Sequence, residues 1–204
     1  MIDYKSYWVN GMGLHETQLK ELKDITLNEN IKNIVEFGSG RSTQFFLDIE
    51  NEYNLNFKLT SFDHNKRYAH KNNCVTIKEL EQCDDESFEL IFKSKKINKE
   101  YFVNAEHEQN NFKAKNCFYA LTENDLPNNI DLIILDGPNG NGRSLAFPYI
   151  MNKISNPCYI MIDDVDHYDF LERAKQIFDY EIITHINDKK IHHLFSYALL
   201  KINI

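Results

Sequence analysis

The stretch Ile34-Val35-Glu36-Phe37-Gly38-Ser39-Gly40-Arg41-Ser42-Thr43 constrains the fold of this chain more than any other. An apolar run ends in an acid, two glycines flank one residue, and a helix-starting Ser-Thr follows. That order predicts a strand, a tight turn and a helix N-terminus in immediate succession. Glycine lets the backbone turn sharply and lets a ligand approach with no Cβ in the way. The helix start beyond it offers unpaired N–H groups. Glu36, at the strand tip, is placed to accept hydrogen bonds from a ligand's hydroxyls or ammonium. The segment reads as a nucleotide-type pocket.

The seven glycines fall in three places: Gly11 and Gly13; Gly38 and Gly40; Gly137, Gly140 and Gly142. The second and third groups directly follow apolar, strand-like runs. In a parallel sheet both loops lie at the carboxyl edge of the strands, where open α/β sheets bind ligands. Apolar periodicity predicts helices over Leu14–Leu27, Ser42–Glu50, Asn65–Asn72, Arg143–Ile154 and Tyr168–Phe178. It predicts strands over Lys32–Phe37, Leu59–Phe62, Val75–Leu80, Asp131–Leu135, Cys158–Ile162, Tyr180–Ile186 and Leu194–Ile202. The last two strands are joined by a short polar turn around Asn187–His192. A turn this short permits only an antiparallel hairpin, because a parallel crossover needs a dozen or more residues. About 50 residues separate the third strand from Asp131, more than one helix needs. Within them Ser87–Lys95 and Glu100–Val103 alternate like a hairpin, and Asn111–Leu121 carries Phe112, Phe118 and Tyr119. This reads as an insertion at about 81–125, either near the pocket or at a dimer contact, or as a structural elaboration.

A dinucleotide fingerprint needs G-x-G-x-x-G, its third glycine allowing close helix–strand packing. Thr43 holds that place, so the fingerprint fails. The pattern E-x-G-x-G-x-S at residues 36–42 instead resembles motif I of class I S-adenosylmethionine (SAM)-dependent methyltransferases. Alternating strands and helices finished by an antiparallel hairpin are similar to the same family over roughly Leu14–Ile202. The resemblance implies an α/β fold, a three-layer, doubly wound, mostly parallel sheet ending in an antiparallel hairpin, in one domain over 1–204. It assigns the cofactor to Glu36, Phe37, Gly38, Ser39, Gly40, Ser42, Thr43, Asp63, His64 and Asp136. Asp63 ends the second strand, 23 residues after Gly40, near the spacing of about 20 for a ribose-binding acid. The alternative is an N-cap for the helix expected from Asn65, and the two roles can coexist. His15 and Trp8 flank the start of the first helix, which in this family packs over the cofactor. Trp8 either lines the acceptor pocket or anchors the N-terminus.

Three carboxylates meet at the same edge. Asp136 follows the central strand in Asp136-Gly137-Pro138, and Asp163-Asp164 end the next. Close carboxylates repel unless a cation or protons intervene, and oxygen-only ligands suit Mg²⁺ or Ca²⁺. The arrangement is similar to metal-dependent catechol-type O-methyltransferases, which implies Asp136, Asp163 and Asp164 as metal ligands. The alternative is that these acids cap the following helices and the glycine-rich loop. Arg143 is placed to clamp an anionic substrate group or to pair with an acid. His167, beside Asp166, is a candidate general base or a solvated loop histidine. With Asp136, these two form the expected catalytic set. His192 and His193 read as surface residues of the far turn.

A formal charge of −8 over 204 residues carries no basic stripe of the kind nucleic-acid-binding surfaces show. The four cysteines form no C-x-x-C pair, consistent with free thiols in a reducing cytoplasm. No apolar run approaches the roughly 20 residues that span a bilayer. The expectation is a cytoplasmic SAM-dependent O-methyltransferase of a small molecule or sugar, with Mg²⁺ as a second cofactor, no nucleic-acid or membrane partner, and a homodimer as its assembly. The alternatives are a catalytically inactive methyltransferase-like binding protein and a nicotinamide oxidoreductase; Thr43 and the terminal hairpin disfavour the second.

Overall fold

The computed structural model describes residues 2–7, 13–105, 115–187 and 196–203. Trp8, Gly11, Phe112, His192 and His193 lie outside the described residues. A seven-stranded sheet forms the centre. Its strands are β1 (Asn33–Phe37), β2 (Lys58–Asp63), β3 (Val75–Ile77), β7 (Ile130–Leu135), β8 (Ile154–Asp163), β9 (Tyr180–Ile186) and β10 (Tyr197–Ile202), in the order β3-β2-β1-β7-β8-β10-β9. β3, β2, β1, β7 and β8 run parallel, and β10 lies antiparallel between β8 and β9. The expected terminal hairpin is therefore present, with the last strand inserted inside the edge.

Strand alternation divides the core in two. Val35, Phe37, Ile133, Leu135, Ile160 and Ile162 face one apolar cluster, and Ile34, Leu132, Ile134, Tyr159 and Met161 face the other. A strand covered on both faces must be apolar at every position, which is why β7 reads as a continuous run. Helices α1 (Glu16–Asn28) and α2 (Arg41–Tyr53) cover one face through Leu19, Leu22, Phe45, Phe46 and Ile49. Helices α3 (Asp85–Ser94), α4 (Ala146–Ile150) and α5 (Phe170–Ile177) cover the other through Phe88, Ile91, Phe92, Phe147, Ile150, Phe170 and Ala174. Each of these side chains except Ala174 contributes roughly 1.5–3 kcal/mol on removal from water, so apolar burial on both faces binds the three layers together. Among the described residues no helix is long and apolar enough to cross a membrane.

Several local expectations are corrected. Ser87–Lys95 falls in helix α3 and its C-cap, not in a hairpin strand. Asp84 accepts a hydrogen bond from the Ser87 N–H at 2.7 Å as its N-cap, and Phe88, Ile91 and Phe92 share one buried face at helical spacing. Asn65–Asn72 is a series of turns rather than a helix. The Asn65 side chain accepts from the Arg67 N–H at 3.0 Å, the local side-chain bonding that competes with helix. Val75–Leu80 splits, because the chain leaves the main sheet after Ile77 and Leu80–Gln82 becomes β4 of a second sheet. That sheet has the order β5-β4-β6, with β5 (Val103–Asn104) and β6 (Cys117–Tyr119) both antiparallel to β4. Arg143–Ile154 opens as a 3-10 turn over Asn141–Leu145, continues as the short α4, and ends where Ile154 starts pairing with Ile130.

Candidate functional site

The glycine loop after β1 is set by close packing against the loop after β7. Gly38 has φ +98°, and a Cβ there would lie 2.8 Å from the Gly137 nitrogen. The N–H groups of Asp136 and Gly137 both donate to the Phe37 carbonyl, at 2.9 and 2.6 Å, and the Gly38 N–H donates to Phe62 O at 2.9 Å. The tips of β1, β2 and β7 are thus tied together without side chains in between. Thr43, where the dinucleotide fingerprint has its third glycine, takes a polar role instead. Its hydroxyl donates to Glu36 Oε2 at 2.5 Å and accepts from the Gly40 N–H at 3.0 Å, so it joins the acid to the turn.

Glu36 is fully buried. Oε2 also accepts from the Ser61 hydroxyl at 2.6 Å, whereas Oε1 is buried without a hydrogen-bond partner. Burial pushes the Glu36 carboxyl up to about 7, only partly offset by the Ser42, Ser61 and Thr43 hydroxyls. Asp63 Oδ2 accepts from the Ser39 N–H and hydroxyl, both at 3.1 Å, and Oδ1 accepts from the Asn65 N–H at 2.7 Å. A carboxylate offers about four acceptor positions, so Asp63 retains about one for a ligand. His64 Nδ1 lies 3.7 Å from Asp63 Oδ1. His70 extends the network: its N–H donates to Ser39 Oγ at 3.1 Å and its ring meets Gln44 at 2.8 Å.

Asp136, Asp163 and Asp164 converge. One carboxylate oxygen of each lies within 4.8 Å of the others. Burial and mutual repulsion raise the carboxyls of Asp136 and Asp163 above the usual range, and the Arg143 charge opposes this. Gln18, missed in the sequence, donates to Asp163 Oδ1 at 2.7 Å while its own carbonyl accepts from the His15 N–H at 2.8 Å. It fastens the start of α1 over the acids. A raised, mutually repelling oxygen set fits either a shared proton or a hard divalent cation.

Arg143 has a different place from the expected clamp. It is 2% exposed. Its Nε donates to Pro138 O at 3.1 Å, its Nη1 to Asp163 O at 2.9 Å, and its Nη2 lies 3.6 Å from Asp164 Oδ2. The guanidinium also lies over the Phe170 ring. It is a buried counter-charge that positions the aspartates. His167 is 61% exposed on the side chain and 3.9 Å from both Asp164 and Asp166. With Tyr168, Phe88, Asn141, Ser144 and Arg173 it lines a cavity of about 200 Å³. The inserted segment reaches this edge as well. Asn116 and Asn141 bond each other reciprocally, at 2.9 and 2.6 Å. A Cβ on Gly142 would collide with the Cys117 backbone at 2.1 Å, so Gly142 admits β6 against the loop after β7. Tyr119, at the end of β6, then stacks on Phe37, with ring centroids 6.0 Å apart. Neither Gln18 nor Tyr119 carries a motif; only their three-dimensional placement reveals them.

This strand order, with its glycine seam and strand-end acids, defines the class I methyltransferase fold. The precorrin-6y C5,15-methyltransferase from Geobacter metallireducens GS-15 is similar in structure, with a TM-score of 0.56, 12% identity, and coverage of 100% of this chain and 98% of that one. The O-methyltransferase from Bacillus cereus, solved in complex with SAH, has a TM-score of 0.55 at 13% identity, covering 98% of this chain and 86% of that one. No protein-family model matches the sequence, and no curated protein matches it in sequence.

Proposed function

We propose that this protein is a SAM-dependent methyltransferase that acts on a hydroxyl of a small molecule or sugar. The observation that carries the reading is the gathering of the Gly38–Gly137 seam, Asp63, half-paired Glu36 and three aspartates at one carboxyl edge of the sheet. Bound SAM would supply a methyl group already activated on a sulfonium. The protein then contributes alignment and desolvation rather than a nucleophile. The remaining acceptor position of Asp63 suits one ribose hydroxyl. The unpartnered Glu36 Oε1 suits a buried N–H or O–H of the ligand, and at Gly40, where a Cβ would meet nothing within 4 Å, no side chain obstructs the approach. The acceptor molecule would lie in the cavity beside His167, where aromatic and polar walls suit a small molecule.

The reading extends to a divalent cation held by Asp136, Asp163 and Asp164, which would acidify an acceptor hydroxyl and orient it. Arg143 offsets the repulsion among these carboxylates and holds the Asp163 backbone and Asp164 in place, and His167 is an exposed imidazole beside Asp164 that could take a proton. The test is transfer of a labelled methyl group from SAM to a panel of phenols, aliphatic alcohols and sugars, with Mg²⁺ or with chelator. Labelled product that requires Mg²⁺ supports both parts. Label transfer indifferent to chelator removes the cation and keeps the methyltransferase. SAM binding without transfer to any acceptor favours the methyltransferase-like binding protein.

A further inference from the structure

Tyr119 is fully buried, and its hydroxyl has no hydrogen-bond partner. Its ring packs with Phe37 and Phe118 and, more distantly, with Phe62 and His64, the last at 6.2 Å between centroids. The hydroxyl end meets the glycine seam, since a Cβ on Gly137 would lie 2.7 Å from it. Burial first, and then the charges of Asp63, Asp136 and Glu36 against that of Arg143, disfavour a phenolate, so the group stays a neutral donor. Leaving a buried donor unpaired is costly, and phenylalanine would fill the same aromatic niche without that cost. The protein's own hydrogen bonds therefore give no reason for the hydroxyl.

We propose that the Tyr119 hydroxyl, brought to the site by the inserted segment, donates a hydrogen bond to a neutral acceptor atom on the nucleoside half of the ligand bound at the Gly38–Asp63–Asp136 edge. The inference rests on the methyl-donor reading above. The three acids around the hydroxyl repel an anionic acceptor and tolerate a purine nitrogen or a ribose oxygen. The aromatic walls and His64, next to the strand-end acid Asp63, place this donor on the nucleoside side rather than beside Asp163 and Asp164. Tyr119 is then a binding residue, and the insertion is part of the ligand site.

The test compares wild type with Tyr119→Phe in calorimetric titrations with SAH and, separately, with 5′-methylthioadenosine, alongside thermal unfolding of the ligand-free proteins. The expected result is a Kd weakened about three- to tenfold for both probes, the effect of one neutral hydrogen bond. The unfolding midpoint of the ligand-free variant should be unchanged or higher. Equal affinities overturn the proposal while leaving the cofactor reading intact. A lowered midpoint overturns it by giving the hydroxyl a role in the fold. Weakening for SAH but not for 5′-methylthioadenosine overturns it by moving the contact to the amino-acid half. A wild type that binds neither probe takes down the cofactor reading and this inference together, and is told apart by the failure of the unmutated protein.

Discussion

Glu36→Gln should remove a specific pH dependence from the stability of the ligand-free protein. Burial lifts the Glu36 carboxyl from 4.5 to about 7 in the folded chain. The folded state then holds a proton that the unfolded state releases between those values, so stability from this group is present at low pH and lost as pH rises through 7. One pKa unit corresponds to 1.36 kcal/mol, which puts the full penalty at about 3 kcal/mol. Between pH 5 and pH 8 about 2 to 3 kcal/mol of it develops. Glutamine resembles the protonated acid: its carbonyl can accept from Thr43 and Ser61 as Oε2 does. Its amide adds a constant offset, but no proton. Glu21, Asp136 and Asp163 are raised as well, yet they remain in the variant, so the difference between the two proteins reports Glu36 together with its charge coupling to Asp136. Urea unfolding followed by circular dichroism at pH 5, 6, 7 and 8 gives that difference. The variant should gain about 2 to 3 kcal/mol on wild type across the range. Parallel curves would refute the reasoning, because Glu36 would then titrate alike in both states.

Three further outcomes follow from the same edge. Thr43→Val removes the donor to Glu36 and the acceptor for Gly40, and should lower unfolding free energy by about 1.5–3 kcal/mol in urea titrations. Gly38→Ala puts a Cβ 2.8 Å from the Gly137 nitrogen at φ +98°; a destabilisation of about 1–3 kcal/mol is expected from the backbone conformation alone, read as a lower melting temperature. Arg143→Met leaves the aspartates without their buried counter-charge and should cost about 3 kcal/mol or more, with the loss smaller at pH 5 than at pH 8 because Asp136 and Asp163 accept protons more readily as pH falls. Equal losses at the two pH values would mean that Arg143 supports the fold through its carbonyl contacts alone.

Much of this architecture was legible because it is local. The strand, turn and helix at Ile34–Thr43 follow from neighbouring residues, and the spacing from Gly40 to Asp63 reflects one helix and one strand of ordinary length. The continuous apolar run of β7 is required by cover on both faces, and the short last turn left only an antiparallel pairing. The secondary structure of the inserted segment was not legible. Short alternating stretches fit strand and helix alike, and the Asp84 cap outweighed the alternation at Ser87–Lys95. Arg143 shows a second limit: its position at the end of a glycine loop suggested a ligand contact, and only the packing of Phe170 and the turn at Pro138 made it a buried strut. Gln18 and Tyr119 reach the site from 145 residues before Asp163 and from a separate small sheet. Contacts of that kind leave no local pattern.

The most direct measurement is equilibrium dialysis of the protein against labelled SAM, with SAH as competitor. The account expects one site per chain, displaced by SAH and weakened when Asp63→Ala removes the strand-end acid. Absence of SAM binding by the folded wild-type protein would contradict it.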